Sequence, residues 1–545
     1  MKKLIAFIFL MTMLCSSLLM LASCGGGGTD EPETPEEGGL TAEELDYQEL
    51  CNWDRTVIRI RLPENSTHGL TPYASRRYLS GESDDFNLPV DEEVRARNAK
   101  SELVTNTKIE YSYDIDTNRA IGYWYGQFYA ESLFDKVDIV VYNSADIIAL
   151  VLSGAACDLK SSAMNSYEGE SFFEFAKEDY DPVTDDEGYM WNYMSDLSLD
   201  VSTFILSSDY LLDNYRSTGV VPVNLAVLES LDCSGSALDK NSDGKITGKE
   251  LYQTVFANGW NFANLKNLYA LADASGKGGF SIGNQASIDA RGLVYSQNIE
   301  LTMRSDGGIL PLPECPEAFK NFGTALSDLI TSDGVKLVTS AQIDGKLRYS
   351  FQIIQDEFLA GYSLFGGITT IASLETPEYD AMREAGTLGV LPVPRYSKYD
   401  KETDANGYYG ATSVSNSFVA IILNKSQCKK QCAAWLNYQT ITSDKVMDAY
   451  FASIVPDDEN VEKVLRMMRA AEGVVSDYEY INGVKAMYNQ IPGNHLPTII
   501  SNSKYEISGM DYLYDAYVKG VRELFSVLKE SYEKALEILK QQENN

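Results

Sequence analysis

The stretch Val137–Leu159, VDIVVYNSADIIALVLSGAACDL, contains a strand pattern, a polar cluster and a helix pattern in succession. Its first residues are nearly all apolar, which is typical of a central strand that is buried on both faces. Asn143, Ser144 and Asp146 follow directly, and the apolar run after them has the length of a helix that ends at Gly154. We therefore expect a buried strand, a polar strand end and a covering helix, in that order.

The segments before this stretch repeat the pattern. Thr56–Arg61 and Thr107–Ser112 both alternate apolar and polar residues, as strands do. Between them, Val90–Asn98 opens with acidic residues, which the positive end of a helix dipole favours. Because strands that alternate with helices favour a parallel sheet, the expected fold class is α/β.

The N-terminus has the features of a secretory signal. Lys2 and Lys3 precede an apolar run, Leu4–Leu21, and a pair of small residues comes just before Cys24. This arrangement resembles the lipobox of bacterial lipoproteins. The resemblance implies a signal peptide over residues 1–23 and acylation of Cys24, with chains such as palmitate, which would hold the protein at the outer, extracellular face of the bacterial cytoplasmic membrane. An uncleaved transmembrane helix is the alternative, since the apolar run is near the minimum length for spanning a bilayer.

Residues 24–48 are expected to form an acidic flexible tether after the lipidated cysteine. Gly25–Gly39 contains no large apolar residue and is rich in glycine, glutamate and proline. Such a composition keeps a segment solvated, so it would separate the folded part from the membrane without fixing its orientation.

Composition limits the classes of function. The chain has 79 Asp and Glu against 45 Lys and Arg, a net charge of −34, so nucleic acid would be repelled. A hydrophobic fraction of 44% supports a large packed core. The two histidines, His68 and His495, weigh against histidine-based triads and multi-histidine zinc sites, although carboxylate-pair glycosidases stay possible.

The remaining cysteines are sparsely spaced and do not predict a disulfide framework. They are Cys51, Cys157, Cys233, Cys315, Cys428 and Cys432. The last two are four residues apart on a predicted helix with no histidine nearby, so we interpret them as small buried apolar residues.

The segment Asp239–Glu250, DKNSDGKITGKE, has the pattern of a calcium loop. Oxygen ligands recur at alternate positions, glycine is sixth, and a glutamate able to bind through both oxygens is twelfth. The predicted ligands are Asp239, Asn241, Asp243, Lys245 through its carbonyl oxygen, Thr247 and Glu250. Because the chain has one such loop with a poor incoming helix, we expect a structural Ca²⁺ site that stabilises a long insertion. The alternative is a solvated acidic turn.

Four segments, in one order, resemble the extracellular solute-binding lipoproteins of bacterial ABC transporters, of the sugar type (family 1-like). They are Val137–Leu159, Asn258–Phe262 before a helix capped by Asn261, Phe358–Phe365 and Gly389–Arg395. The Asn-Gly-Lys-Trp-Thr-Phe segment common in that family lacks its lysine here. The stretches 214–259 and 273–310 also depart from the simplest members.

The resemblance implies a two-lobe periplasmic-binding-protein-like fold (type II). Each lobe would be a mainly parallel sheet flanked by helices, with the ligand in the cleft between the lobes. Lobe I would comprise residues 49–200 and 415–452. Lobe II would comprise 201–414 and 453–545, with the calcium-loop insertion around 225–256.

The implied cleft residues are polar or aromatic, because sugars need partners for their hydroxyls and flat surfaces for their apolar faces. They are Tyr142, Asn143, Ser144, Asp146, Trp191, Tyr193, Tyr362, Phe365, Tyr408 and Tyr409. Ordinary packing is the alternative for each aromatic residue, and Trp260 is assigned to the core.

The function implied by the resemblance is binding without catalysis. A monomeric protein would capture a small solute, most simply a sugar or oligosaccharide, and deliver it to an ABC permease in the membrane. The alternatives are a cell-surface glycan-binding protein or a glycosidase that is not coupled to a transporter. Peptide or polyamine binding also stays open.

Overall fold

The structure is a computed structural model, which describes the chain in segments. They are residues 40–64, 66–68, 71–82, 89–114, 137–143, 147, 150–151, 154–169, 171–173, 192–193, 204–283, 296–297, 299, 302–305, 308–397, 418–454, 459–468, 514–515 and 518. The chain divides into two units, Met1–Leu45 and Asp46–Asn545, and the sheets belong to the second. Within these segments no helix is long and apolar enough to cross a membrane. The predicted signal peptide and Cys24 lie outside them.

Short strands occur between Thr56 and Ile422. They are β1 Thr56–Pro63, β2 Ser66–His68, β3 Thr71–Tyr73, β4 Thr107–Asp114, β5 Ile139–Asn143, β6 Asn192–Tyr193, β7 Leu206–Ser207, β8 Gly219–Asn224, β9 Phe280–Gly283, β10 Thr302–Ser305, β11 Gly308–Pro311, β12 Val335–Val338, β13 Ala341–Ile343, β14 Lys346–Arg348, β15 Thr369–Thr370, β16 Leu388–Pro392 and β17 Phe418–Ile422.

Helices alternate with these strands. They are α1 Ala42–Leu50, α2 Ser75–Tyr78, α3 Pro89–Val104, α4 Leu212–Arg216, α5 Leu225–Ser230, α6 Gly248–Phe256, α7 Phe262–Ala274, α8 Glu317–Ile330, α9 Ser350–Leu359, α10 Asp380–Glu384, α11 Lys429–Ile441 and α12 Asp444–Ile454. Residues 459–468 are also helical, and short 3₁₀ helices run over Ser162–Met164, Ile371–Glu375 and Pro377–Tyr379.

Helix α1 begins inside the segment predicted to be tether. The backbone N–H of Glu44 donates to Thr41 Oγ1 at 3.2 Å, and the Thr41 N–H donates to Glu44 Oε2 at 2.8 Å. This reciprocal pair starts a helix because it satisfies two amides that have no partner within the helix. Residues 42–48 are therefore helical, and the composition-based tether prediction overlooked this capping pair.

A six-stranded sheet with the order β4-β1-β5-β17-β7-β6 contains the three strands predicted from sequence. β4, β1 and β5 are parallel neighbours, with Ile58 beside Ile109 and Ile60 beside Ile139. β17 pairs antiparallel with β5 and β7. The α/β class and the parallel sheet are thus confirmed in the described part of the chain.

The chain leaves this sheet after β7 and rejoins it only at β17. In the sheet, β17 lies between β5 and β7, which both come much earlier in sequence. The intervening chain builds a second sheet in which β8 pairs antiparallel with β15 and β16. Val223 of β8 also bridges to Phe365, and the nearby Ser363 bridges to Gly278, just before β9. Strand β9 in turn pairs with β12. Leu206–Ser207 belongs to the six-stranded sheet, although the predicted lobe I ends at residue 200; that division stays a prediction.

Alternate residues of the central strands face two different hydrophobic cores, as the period of a strand requires. Ile139 and Val141 belong to a smaller core with Trp435 of α11. Val140 and Tyr142 belong to a larger core, which also contains Val221 and Trp260 beneath the second sheet. Strand β5 is therefore buried on both faces, as its continuous apolar sequence predicts.

Two local predictions are confirmed. Trp260 is fully buried and its Nε1 donates to the Pro392 carbonyl oxygen at 2.7 Å. Asn261 caps α7, since its side-chain oxygen accepts from the Asn264 N–H at 3.1 Å. The cysteines from Cys51 to Cys432 are free, and Cys428 Sγ lies 3.8 Å from Cys432 Sγ in the smaller core.

Gly389 lets β16 approach its neighbours closely. An added Cβ would lie 2.6 Å from Val223 Cγ1 and 3.0 Å from both Leu225 Cδ2 and Tyr252 Oη. Gly389→Ala is expected to destabilise the protein by roughly 1–3 kcal/mol, the usual cost of overpacking a core. Gly248→Ala is the matched control, since its Cβ would come no nearer than 3.3 Å to Leu225. Urea unfolding measures both, and equal stability of the two variants would contradict the close approach.

Candidate functional site

The predicted cleft residues fall on both sheets, and the structure describes part of them. Tyr142 lies in β5, Phe365 bridges to Val223 of β8, and Tyr362 pairs through its backbone with Gly278 before β9. For Asn143 and Tyr193 the backbone alone is described; they pair with Phe418 and Leu206, respectively, in the six-stranded sheet. Ser144, Asp146, Trp191, Tyr408 and Tyr409 lie outside the described residues.

Two of the predicted aromatic residues are packed into the larger core. Tyr142 is 1% exposed and Phe365 is 0% exposed. The Phe365 ring lies 6.0 Å from the rings of Trp260 and Phe280, and the Phe280 contact is edge-to-face. A ligand would reach either ring only after the core around it had moved, so their burial favours the packing alternative.

Tyr362 has the opposite environment. It is 69% exposed and follows Gly361, whose φ of +70° ends helix α9. Its carbonyl oxygen accepts from the Gly278 N–H at 2.6 Å, so the backbone is fixed while the ring faces solvent. Among the predicted aromatic residues whose side chains are described, Tyr362 alone has a ring open to a ligand.

A buried ion-pair cluster at the crossing between the sheets was not predicted from sequence. We call it the Arg216 cluster: Arg216, Asp213, Glu375, Tyr78 and Tyr450. Arg216 is 1% exposed, and its Nε and Nη2 donate to the two Glu375 oxygens at 2.8 and 2.7 Å. Its Nη1 donates to Asp213 Oδ1, and its guanidinium carbon lies 4.4 Å from the Tyr78 ring centre. Such two-pronged pairing is the strongest form of an arginine–carboxylate contact.

Glu375 joins three separate parts of the chain through this cluster. It ends the 3₁₀ helix that follows β15, whereas Arg216 lies in α4, between β7 and β8. The Tyr450 hydroxyl of α12 also donates to Glu375 Oε1. The first crossing segment is thus fixed to the second sheet and to a helix that follows the return strand.

Burial controls protonation in the cluster. Burial raises the pKa of Asp213, and the Arg216 charge and hydrogen bond offset part of that rise. The pKa of Tyr450 is well above its ordinary value, first because of burial and then because of the Glu375 carboxylate. Tyr450 therefore keeps its proton at neutral pH and remains a donor to Glu375.

One sequence signal marks the cluster in retrospect. Asp213 and Arg216 are three residues apart between the apolar pairs Leu211–Leu212 and Val220–Val221, and a charged pair at that spacing lies on one side of a helix turn. Glu375 and the tyrosines are distant in sequence, so no local pattern connects them to this pair.

The predicted calcium loop, Asp239–Glu250, is described in full and folds around its acidic side chains. The Asp239 carboxylate accepts from the N–H groups of Asp243 and Gly244, at 3.2 and 2.8 Å. Asn241 Oδ1 accepts from the Asp243 N–H at 2.8 Å. Gly244 has φ +84°, and an added Cβ would lie 2.9 Å from Ser234 Oγ, so glycine is required at the turn.

Glu250 connects the end of the loop to its start. Its Oε1 accepts from the Lys240 and Asn241 N–H groups at 3.1 and 3.3 Å, and its Oε2 accepts from the N–H and hydroxyl of Thr247. The Thr247 N–H bond is the main reason that the pKa of Glu250 is lowered. Within the described residues, no group of three or more His, Cys, Asp and Glu side chains is placed to hold a metal ion.

The loop is attached to the second sheet through its neighbours. The Cys233 N–H donates to the Gly244 carbonyl oxygen at 2.8 Å, and Ile246 is fully buried in the larger core. Helix α6 begins at Gly248, within the last residues of the loop, and its Tyr252 hydroxyl accepts from the Val390 N–H of β16 at 3.0 Å. A change in the loop would therefore affect the packing of α6 on β16.

No protein-family model matches this chain, and no curated protein matches it in sequence. Among solved structures the chain is similar to the GacH receptor of Streptomyces glaucescens GLA.O, whose crystal structures are unliganded and in complex with acarbose and an acarbose homolog. The sequences are 12% identical, the TM-score is 0.42, and the match covers 87% of this chain and 99% of that one.

Proposed function

We propose that this chain is an extracellular solute-binding protein that passes its ligand to an ABC importer. The observation that carries the proposal is the path of the chain between its two sheets. The chain leaves the six-stranded sheet after β7 and rejoins it at β17, so the second sheet is connected to the first on both sides. Two halves joined in this way are able to close on a ligand by a hinge motion.

The proposed ligand site includes the end of β5. In sheets with parallel strands, ligands bind outside the carboxyl ends of the strands. Asn143 is the last residue of β5 and pairs with Phe418, the first residue of β17. The polar residues Ser144 and Asp146 follow in sequence, which supports a polar site at this edge.

A carbohydrate is the proposed ligand class, bound without catalysis. Tyr362 supports this class, since an exposed ring on a fixed backbone offers a flat apolar face to a sugar. A glycan-binding protein or glycosidase with no transporter remains the second candidate, because the chain is rich in carboxylates.

Membrane attachment is proposed through the lipid on Cys24. The support is the sequence alone: two lysines, an apolar run and a small-residue pair before the cysteine. The glycine-rich and acidic residues that follow would act as the tether up to helix α1.

The test is a thermal-unfolding screen of the purified chain against mono- and oligosaccharides, with peptides and polyamines as comparison ligands. We expect a saturable rise in melting temperature with a sugar that is recovered intact. Consumption of the sugar would favour the glycosidase. A rise with a peptide or polyamine alone would replace the ligand class, and no rise with any of them would contradict solute binding.

The matched variants are Tyr362→Ala and Tyr167→Ala, two exposed tyrosines in different parts of the fold. Loss of a stacking ring costs about 0.5–1.5 kcal/mol, so Tyr362→Ala is expected to weaken sugar binding by up to about tenfold. Tyr167→Ala is expected to leave the affinity unchanged, and equal effects of the two variants would remove Tyr362 from the site.

A structural Ca²⁺ ion in the loop Asp239–Glu250 is the remaining part of the proposal. Asp239, Asn241, Asp243 and Glu250 would hold it with their side chains, helped by the Lys245 carbonyl oxygen and Thr247. Their order and spacing support the site, as do the inward hydrogen bonds of the Asp239 carboxylate. The ion would supply positive charge to a loop whose acidic groups otherwise face backbone amides.

A further inference from the structure

Arg97 of α3 is a buried cation with neutral partners. It is 5% exposed. Its Nη1 donates to Ser443 Oγ and its Nη2 to the Tyr78 carbonyl oxygen, both at 3.2 Å. Nε and Nη2 also approach Asn98 Oδ1 at 3.4 Å. Within the described chain, all of its hydrogen-bond partners are therefore uncharged.

Two other arginines with limited exposure differ from Arg97 in this respect. Arg77 pairs with both carboxylate oxygens of Asp91, at 2.6 and 2.7 Å, and Arg216 pairs in the same way with Glu375. A buried charge is costly unless a partner compensates it. Burial accordingly lowers the pKa of Arg97 to about 10, still far enough above neutrality to leave it charged.

Three buried hydrogen-bond donors without acceptors among the described residues belong to Tyr210 and Tyr111, which interact with this cation, and to Trp435, which packs on Tyr210. The Tyr210 ring centre lies 5.1 Å from the Arg97 guanidinium carbon, and the Trp435 ring lies edge-on to Tyr210 at 5.3 Å. The Tyr210 hydroxyl, the Trp435 Nε1 and the Tyr111 hydroxyl are all buried and have no hydrogen-bond partner in the described part of the chain. Burial raises the pKa of Tyr111, and nearby Arg97 offsets part of the rise.

Unsatisfied buried donors are rare in folded proteins, and a bound water or ion is their common explanation. A water molecule would leave the charge of Arg97 uncompensated. A monovalent anion accepts hydrogen bonds from several donors at once and also neutralises one positive charge, whereas a dianion such as phosphate would leave a buried excess negative charge.

We propose that a monovalent inorganic anion of the chloride class binds in the interior beside Arg97, between the hydroxyl groups of Tyr111 and Tyr210. The ion links α3, β4 and the segment before α4, and it stabilises the helices packed on the six-stranded sheet. It is a structural ligand, independent of the proposed solute site.

The solution test compares thermal unfolding in sodium chloride with that in sodium gluconate at equal ionic strength, which cancels the general screening of a chain with net charge −34. We expect the full chain to melt a few degrees higher in chloride, with a saturable dependence. Equal melting temperatures in the two salts would overturn the proposal.

The decisive variant is Tyr111→Phe with Tyr210→Phe, which removes two donors and retains the ring shapes. It is expected to lose more than half of the chloride-dependent shift, while Tyr269→Phe, another buried tyrosine, in α7, keeps it. A double variant that is more stable in both salts would show that the hydroxyls had no partner. One that is equally destabilised in both would show that they bind water. Either result overturns the proposal.

A crystal grown in sodium bromide locates the ion directly. The expected result is an anomalous bromide peak within hydrogen-bond distance of Arg97 Nη1 and of a tyrosine hydroxyl. Water density at this position, with no anomalous signal, would contradict the anion.

Discussion

Replacing Glu375 by alanine is expected to destabilise the protein by about 3 kcal/mol, because the change leaves the buried Arg216 without its two-oxygen partner. Breaking a buried pair is costly since the remaining charge stays desolvated, and Asp213 contacts Arg216 through one carboxylate oxygen. Glu375 is partly exposed, with 21% of its side chain accessible. The expected loss of stability is therefore at the lower end of the range found when a buried ion pair is broken. Urea unfolding measures the loss as a lower midpoint.

Two further variants test whether the loss of stability follows from the Arg216 cluster. Tyr450→Phe removes one hydrogen bond to Glu375 and is expected to cost about 1 kcal/mol. Glu378→Ala changes an exposed glutamate three residues away and is expected to stay within about 0.5 kcal/mol of the parent. If Glu375→Ala and Glu378→Ala had the same midpoint, the Arg216 cluster would not contribute to stability as its geometry indicates.

Calcium is expected to raise the melting temperature of the protein through the loop Asp239–Glu250. A ligand that binds only the folded state adds about 2.7 kcal/mol to the free energy of unfolding when its free concentration is one hundred times its dissociation constant. The informative variant is Asp243→Asn, because asparagine still offers an oxygen to the Lys245 N–H but removes the charge that would bind Ca²⁺. We expect it to lose more than half of the calcium-dependent shift and to melt close to the parent in chelator.

The controls follow from the loop geometry. Asp232→Asn changes an aspartate just outside the loop that accepts from the Ser234 N–H in the same way, and it is expected to keep the full shift. Glu250→Ala is less informative, since it also breaks the cap of α6 and would cost about 1 kcal/mol in chelator as well. A parent protein that melts at the same temperature in Ca²⁺, Mg²⁺ and chelator would refute the site.

Local patterns predicted the elements that depend on near neighbours. The strands β1, β4 and β5, the helix α3 and the Asn261 cap follow from periodicity and capping chemistry that act over a few residues. The predicted tether extended too far, to residue 48, because composition was given more weight than the Thr41–Glu44 capping pair. The cleft prediction was least informative, since it gave Tyr142 and Phe365 the same role as Tyr362 although the fold buries the first two.

The sequence by itself determined the α/β class, the buried central strand and the order of the loop from Asp239 to Glu250, because each depends on residue type and short-range spacing. Tertiary structure alone decided which distant side chains meet. It placed β17 between β5 and β7, brought Glu375 and Tyr450 to Arg216, and left Arg97 among neutral partners. The physical reason is that the energy of a buried charge depends on what surrounds it in space, and those surroundings come from parts of the chain hundreds of residues apart.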